Sequence, residues 1–198
     1  MAGNPPPGTR PRMRTPMIIA ISGPPGSGKT TVAERFAKAH GFEVISAGTL
    51  FREGAKDFGM SLEKFGRYAE EHPDVDQDLD AEVVQRVRKA VRAGKNVVVD
   101  GRLQPWLLEK HEIPCLKVLI DAPLEVRAER VAGREGKSVK DARKEIRERE
   151  RSERTRYVKV YGIDVRDTSH FDLVVDSSDK TPDDIVSILA ERVAKWEK

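Results

Sequence analysis

The chain has 198 residues, of which 38% are apolar and 35% charged, and a formal net charge of +3. That allows one sizeable core with a small appendage but hardly two independent domains, and no run approaches the ~20 apolar residues that a membrane-spanning helix needs. A charge so close to balance gives no case for a nucleic-acid partner. The single cysteine, Cys115, excludes an intrachain disulfide and a thiolate metal cluster.

In chain order, residues 1–16 are rich in Pro, Gly and Arg without an apolar centre. They read as a disordered tail rather than a signal peptide, so the expected compartment is the cytoplasm. A basic tail that holds an acidic partner is the alternative reading. The remainder, 17–198, reads as a single α/β domain in which apolar runs alternate with helical periodicities, the pattern of a parallel sheet. Strands are expected at Met17–Ser22, Glu43–Ser46, Asn96–Asp100, Cys115–Asp121 and Phe171–Val175, with Val/Ile-rich centres buried on both faces. Cys115 borders one of these runs and is expected as a small buried hydrophobe.

The first strand runs into Gly23-Pro24-Pro25-Gly26-Ser27-Gly28-Lys29-Thr30-Thr31, a full G-x-x-x-x-G-K-[ST] phosphate loop, followed by a helix carrying Val32, Phe36 and Ala37. The glycines let successive backbone N–H groups turn toward phosphate oxygens, and the helix N-terminus adds its positive end. Lys29 is placed to reach the β- and γ-phosphates of ATP, and the Thr30 hydroxyl to ligate the Mg²⁺ that accompanies it.

Between the second and third strands, residues 47–94 carry three helical patterns. They comprise Leu50, Phe51, Ala55 and Phe58; then Leu62, Phe65 and Ala69; then Leu79, Val83, Val87 and Val91. This reads as a helical insertion beside the sheet. The third strand ends in Asp100-Gly101-Arg102, which places an acid and a base at the ligand-binding edge of a doubly wound sheet. Pro123 opens a helix after the fourth strand, Ser138 to Asp141 resembles a capping box, and Thr181-Pro182 opens the last helix. Residues 147–156 contain no apolar side chain. Alone they read as a solvated helix held by Glu/Arg pairs; beside a phosphate loop they read better as a mobile arginine-rich lid.

A phosphate loop admits a kinase, a GTPase switch or a motor. The guanine-reading N-K-x-D and the transporter L-S-G-G-Q sequences are absent, and the chain is short for a hexameric motor, which leaves a small-molecule kinase. Such an enzyme must exclude water from the transferring phosphoryl group, and a closing lid does so.

Gly23–Thr31, Ser46-Ala47-Gly48-Thr49-Leu50-Phe51-Arg52, Asp100-Gly101-Arg102, Arg134-Glu135-Gly136-Lys137-Ser138, Glu148–Arg156 and Tyr161-Gly162-Ile163-Asp164 occur in the order seen in archaeal-type cytidylate kinases. From Met17 onward the chain resembles that family. The resemblance implies a P-loop NTPase three-layer sandwich: a five-stranded parallel sheet, a nucleoside-monophosphate-binding insertion at 47–94 and a lid at 134–164. It also implies transfer of phosphate from ATP to CMP or dCMP, by a chain expected to act as a monomer. Ser46, Arg52, Asp100, Gly101 and Arg102 would then bind the acceptor nucleotide. Arg134 would meet ATP, and Arg149, Arg154 and Arg156 would be lid arginines acting in catalysis with Lys29 and Arg102. Thr49 stands where related sequences often carry Asp. Base choice rests on the resemblance alone, so an adenylate or other nucleoside monophosphate kinase stays open. So does a nucleotide-dependent RNA-binding or assembly factor, on the strength of the basic tail and arginine-rich arm.

Overall fold

The computed structural model describes residues 15–196; apart from Thr15 and Pro16, the tail expected over residues 1–16 lies outside them. Five parallel strands form one sheet: β1 (Ile18–Ser22), β2 (Glu43–Ser46), β3 (Val97–Asp100), β4 (Leu116–Asp121) and β5 (Leu173–Asp176), in the order β2-β3-β1-β4-β5. Each pair is parallel, with Ile21 beside Asp100 and Ser46 beside the same Asp100 across the other edge of β3. Alternation along β1 sends Ile19 and Ile21 to one face and Ile18 and Ala20 to the other, so the strand is apolar on both faces up to Ser22.

Among the described residues, eight helices accompany the sheet. On the Ile19 face lie α1 (Lys29–His40) and α8 (Pro182–Trp196), whose Val32, Phe36, Ile185 and Leu189 close the larger core. On the Ile18 face lie α4 (Pro73–Arg92) and α5 (Gln104–Lys110), contributing Val83, Val87 and Leu108. The result is three layers. Among the described residues, no helix is long and apolar enough to cross a membrane.

The insertion is made of α2 (Ala47–Asp57), α3 (Leu62–Glu71) and α4. Ser46 and Ser61 cap α2 and α3, each accepting the backbone N–H three residues on. Phe65 is buried against Phe51 and Phe58 and ties α2 to α3. After β4 come α6 (Leu124–Glu135) and α7 (Val139–Tyr161). The expected Ser138–Asp141 box is formed, with the Asp141 N–H donating to Ser138 Oγ at 3.0 Å. The Ser138 hydroxyl in turn donates to the Asp141 carboxylate. Thr181 caps α8 in the same manner.

Two features differ from the sequence reading. The short α5 was not anticipated. The polar stretch 147–156 is the middle of the 23-residue α7, and although it is polar all round, Glu153 and Arg156 within it are buried. Both are held by ion pairs, and aromatic rings also pack on Arg156.

Candidate active site

The loop from Gly23 to Gly28 leaves β1 at its C-terminal end and delivers Lys29 and Thr30 to the first turn of α1. The Ser27 N–H donates to Pro24 O at 3.1 Å and closes the turn. Gly26 has φ +84°, and a Cβ there would lie 2.8 Å from Arg127 O. Only glycine fits both the backbone angle and the packing. Thr31 faces outward from α1.

Thr30 Oγ1 donates to Asp100 Oδ2 at 2.8 Å, and Ser46 Oγ donates to the same oxygen at 3.2 Å. Asp100 is 2% exposed, and its Oδ1 is buried without a partner among the described residues. A hydroxyl and a half-used carboxylate are hard oxygen donors of the kind Mg²⁺ prefers, reached directly or through its waters. Among the described residues, no cluster of three or more His, Cys, Asp or Glu side chains could hold a metal alone. Gly101 follows, and a Cβ there would lie 2.8 Å from Ala47 Cβ as well as 2.4 Å from Gln104 Oε1, which leaves little room for a side chain. Ser22 Oγ donates to Arg102 O at 2.9 Å and holds the chain beside the phosphate loop.

From α7, Arg149 and Glu153 face this cluster. Glu153 accepts from Arg149 Nε at 2.8 Å, and its other oxygen lies 3.2 Å from Arg102 Nε, in ionic contact without a well-directed hydrogen bond. Burial works against the Glu153 charge, but Arg149 and Arg102 prevail and hold its carboxyl below the ordinary range. The protein crowding around the Lys29 ammonium lowers its pKa to about 8, a fall that Asp100 opposes and that Arg149 and Arg102 reinforce. Lys29, Asp100, Arg102, Arg149 and Glu153 are thus one electrostatic unit.

Farther along the same cleft, buried Arg156 donates to buried Asp76 of α4 and lies over the Phe51 ring, 4.9 Å from its centroid. Burial raises the Asp76 pKa despite Arg156. One turn along α4, Asp80 accepts from the Tyr161 hydroxyl, and burial raises its pKa to about 7.

The other expected residues are more dispersed. Arg154 is exposed, 3.5 Å from Asp164 and on a different side of α7 from the 149–153–156 face. Arg52 is also exposed and donates to Thr49 Oγ1 at 2.9 Å. Because Thr49 is neutral, the Arg52 charge is not compensated by that contact. Arg134 projects from the end of α6 and pairs with Glu135.

Sequence reasoning missed four residues. Asp76 and Glu153 are the carboxylates that make arginine burial possible. Arg127 and Arg130 of α6 brace the phosphate loop from outside. Arg127 donates to Pro25 O at 3.1 Å, while Arg130 binds Ser177, whose hydroxyl donates to Ser27 O at 3.0 Å. A signal existed: Arg149, Glu153 and Arg156 are spaced i, i+4, i+7, and Arg127, Arg130 and Arg134 are spaced i, i+3, i+7, each set on one helical face.

The cytidylate kinase-like family matches this chain over residues 18–179. A cytidylate kinase of Pyrococcus abyssi is 44% identical over 173 residues, covering 87% of this chain and 91% of the relative. One of Pyrobaculum aerophilum is 44% identical over 172 residues, covering 87% and 90%. Among solved structures, a shikimate kinase from Bacteroides thetaiotaomicron superposes with a TM-score of 0.57 at 16% identity, covering 90% of this chain and 98% of that one. At that identity the likeness speaks for the P-loop kinase fold alone.

Proposed function

We infer that this chain, which belongs to the cytidylate kinase-like family, is a nucleoside monophosphate kinase that transfers the terminal phosphoryl group of ATP to CMP or dCMP. The observation that carries the mechanism is the convergence of Lys29, Arg102 and Arg149 on one buried cluster, opposite a hydroxyl–carboxylate pair suited to a nucleotide-borne metal.

The acceptor is a phosphate oxygen that is already anionic, so no strong general base is required. Catalysis rests on alignment and charge neutralisation. The loop N–H groups and Lys29 hold the triphosphate. Thr30 and Asp100 would hold Mg²⁺, which when bound neutralises charge on the β- and γ-phosphates. Arg102, from the end of β3, and Arg52, swinging from α2, grip the acceptor phosphate. Arg149 stabilises charge on the phosphoryl group in flight. Phosphate oxygens compete with Glu153 for Arg102 and Arg149, so substrate arrival exchanges one anionic partner for another with little net loss of ion pairing.

In this reading the helices of 47–94 form the acceptor-binding insertion and 134–164 forms the lid. Arg134 would meet ATP on closure, with Arg154 and Arg156 supporting the lid. One chain supplies every group named, so a monomer suffices. The compartment that fits a free nucleotide substrate and a lone, buried cysteine is the cytoplasm. The test is direct: incubation with ATP, Mg²⁺ and CMP, followed by anion-exchange separation, should yield CDP and ADP in equal amounts. ADP without CDP would overturn the assignment.

A further inference from the structure

We propose that Arg127 and Glu150 form a latch between the phosphate loop and α7, with Arg127 acting as a positioning residue for phosphoryl transfer. Arg127 is 7% exposed. Its Nε donates to Ala122 O at 2.8 Å, just after β4. Its Nη1 donates twice, to Pro25 O at 3.1 Å and to Glu150 Oε1 at 2.8 Å. One nitrogen therefore joins the loop that cradles the donor to the helix that carries Arg149.

Peptide geometry gives the first contact its consequence. A trans peptide is planar, with C=O and the following N–H pointing in opposite directions. Pinning Pro25 O outward on Arg127 turns the Gly26 N–H toward the inside of the loop, where anionic oxygens would sit. Ser177 Oγ does the same for the next plane but one, by holding Ser27 O at 3.0 Å.

The second contact acts on α7. Glu150 adjoins Arg149 in sequence, and Arg149 with Glu153 makes up the charged face turned to Lys29. Fixing Glu150 to a guanidinium already fixed to β4 and the phosphate loop sets the rotation of α7 at the level of Arg149. The loop and the arginine then stand in one register. Lysine cannot substitute, because a single ammonium on a flexible stem does not span three acceptors in a plane.

The latch rests on the kinase reading, and the experiment separates the two. Glu150→Gln, Arg127→Lys, Arg127→Ala and the Arg127→Ala/Glu150→Gln pair are compared with the wild type in melting temperature, kcat, KM for CMP and calorimetric ATP affinity. Misalignment of this kind lowers kcat by about tenfold to a hundredfold, with KM for CMP near the wild-type value. Glu150→Gln should show this loss while keeping its melting temperature, and the double variant should be no worse than Arg127→Ala alone, since both break one unit. Arg127→Ala should also bind ATP more weakly, and Arg127→Lys should fail to rescue either property. Wild-type kcat in Glu150→Gln, or losses that multiply independently in the pair, would overturn the latch. If the wild type makes no CDP, the kinase reading fails instead, and unchanged ATP affinity in a folded Arg127→Ala would still sink the latch. Should Arg127→Ala not fold, Glu150→Gln and Arg127→Lys decide.

Discussion

Replacing Arg156 by Ala would remove the guanidinium that pairs with Asp76, which is 5% exposed in the intact protein, and leave neither carboxylate oxygen hydrogen-bonded among the described residues. Breaking a buried pair from one side costs about 3–5 kcal/mol, because the remaining charge has lost both water and partner. The substitution also strips the cation from the face of Phe51. For a domain of this size each kcal/mol moves the melting temperature by about 2–4 °C, so a fall of about 10 °C is expected. Arg154→Ala provides the contrast: its side chain is 51% exposed and 3.5 Å from Asp164, and such a pair is worth less than about 1 kcal/mol. Thermal denaturation followed by circular dichroism at pH 7 measures both. Replacing the pair together, as Asp76→Leu/Arg156→Met, should recover much of the loss while turnover stays low. A melting temperature for Arg156→Ala within about 2 °C of wild type would refute the claim that this pair fastens α7 to the insertion.

Lys29→Ala should abolish CDP formation with the melting temperature preserved; a variant keeping more than a tenth of wild-type turnover would remove Lys29 from the mechanism. In the free enzyme the Lys29 ammonium loses its proton as pH rises through about 8, so kcat/KM for ATP should fall across that point. Lys29→Arg should lack that limb, and a profile unchanged by the substitution would place the titration elsewhere. Burial raises the Asp80 pKa to about 7, above its unfolded value of 3.8. The protein therefore binds that proton more tightly when folded, and stability from this site is present below pH 3.8 and lost as pH rises through about 7. Asp80→Asn should then raise the melting temperature at pH 8 but not at pH 4; an equal effect at both would contradict the assignment.

The strands were legible because β1, β3 and β4 have Val/Ile/Leu-rich centres buried on both faces, with Lys117 the one charge inside β4. The phosphate loop was legible because its backbone angles and its lysine leave a fixed imprint on sequence. The short α5 was not. It has seven residues with Pro105 near its start, and Gln104, Trp106, Leu107 and Leu108 are buried on all sides, so no helical period emerges. The polar stretch of α7 could be read only as solvated or as ligand-bound, since hydropathy does not register burial by ion pairing. Arg156 meets Asp76 across 80 residues of chain, and Arg102 meets Glu153 across the sheet edge. Pairings of that separation are properties of the fold. For the same reason Arg127 looked like one more charge on a helix, although it holds Pro25 O from 102 residues away.

The most direct test of the central claim is an ADP-release assay with ATP·Mg²⁺ and, in turn, CMP, dCMP, UMP, AMP, GMP and shikimate. A kcat/KM for CMP or dCMP well above every other acceptor is the predicted result. Preference for AMP or shikimate, or ADP release that no acceptor stimulates, would contradict it.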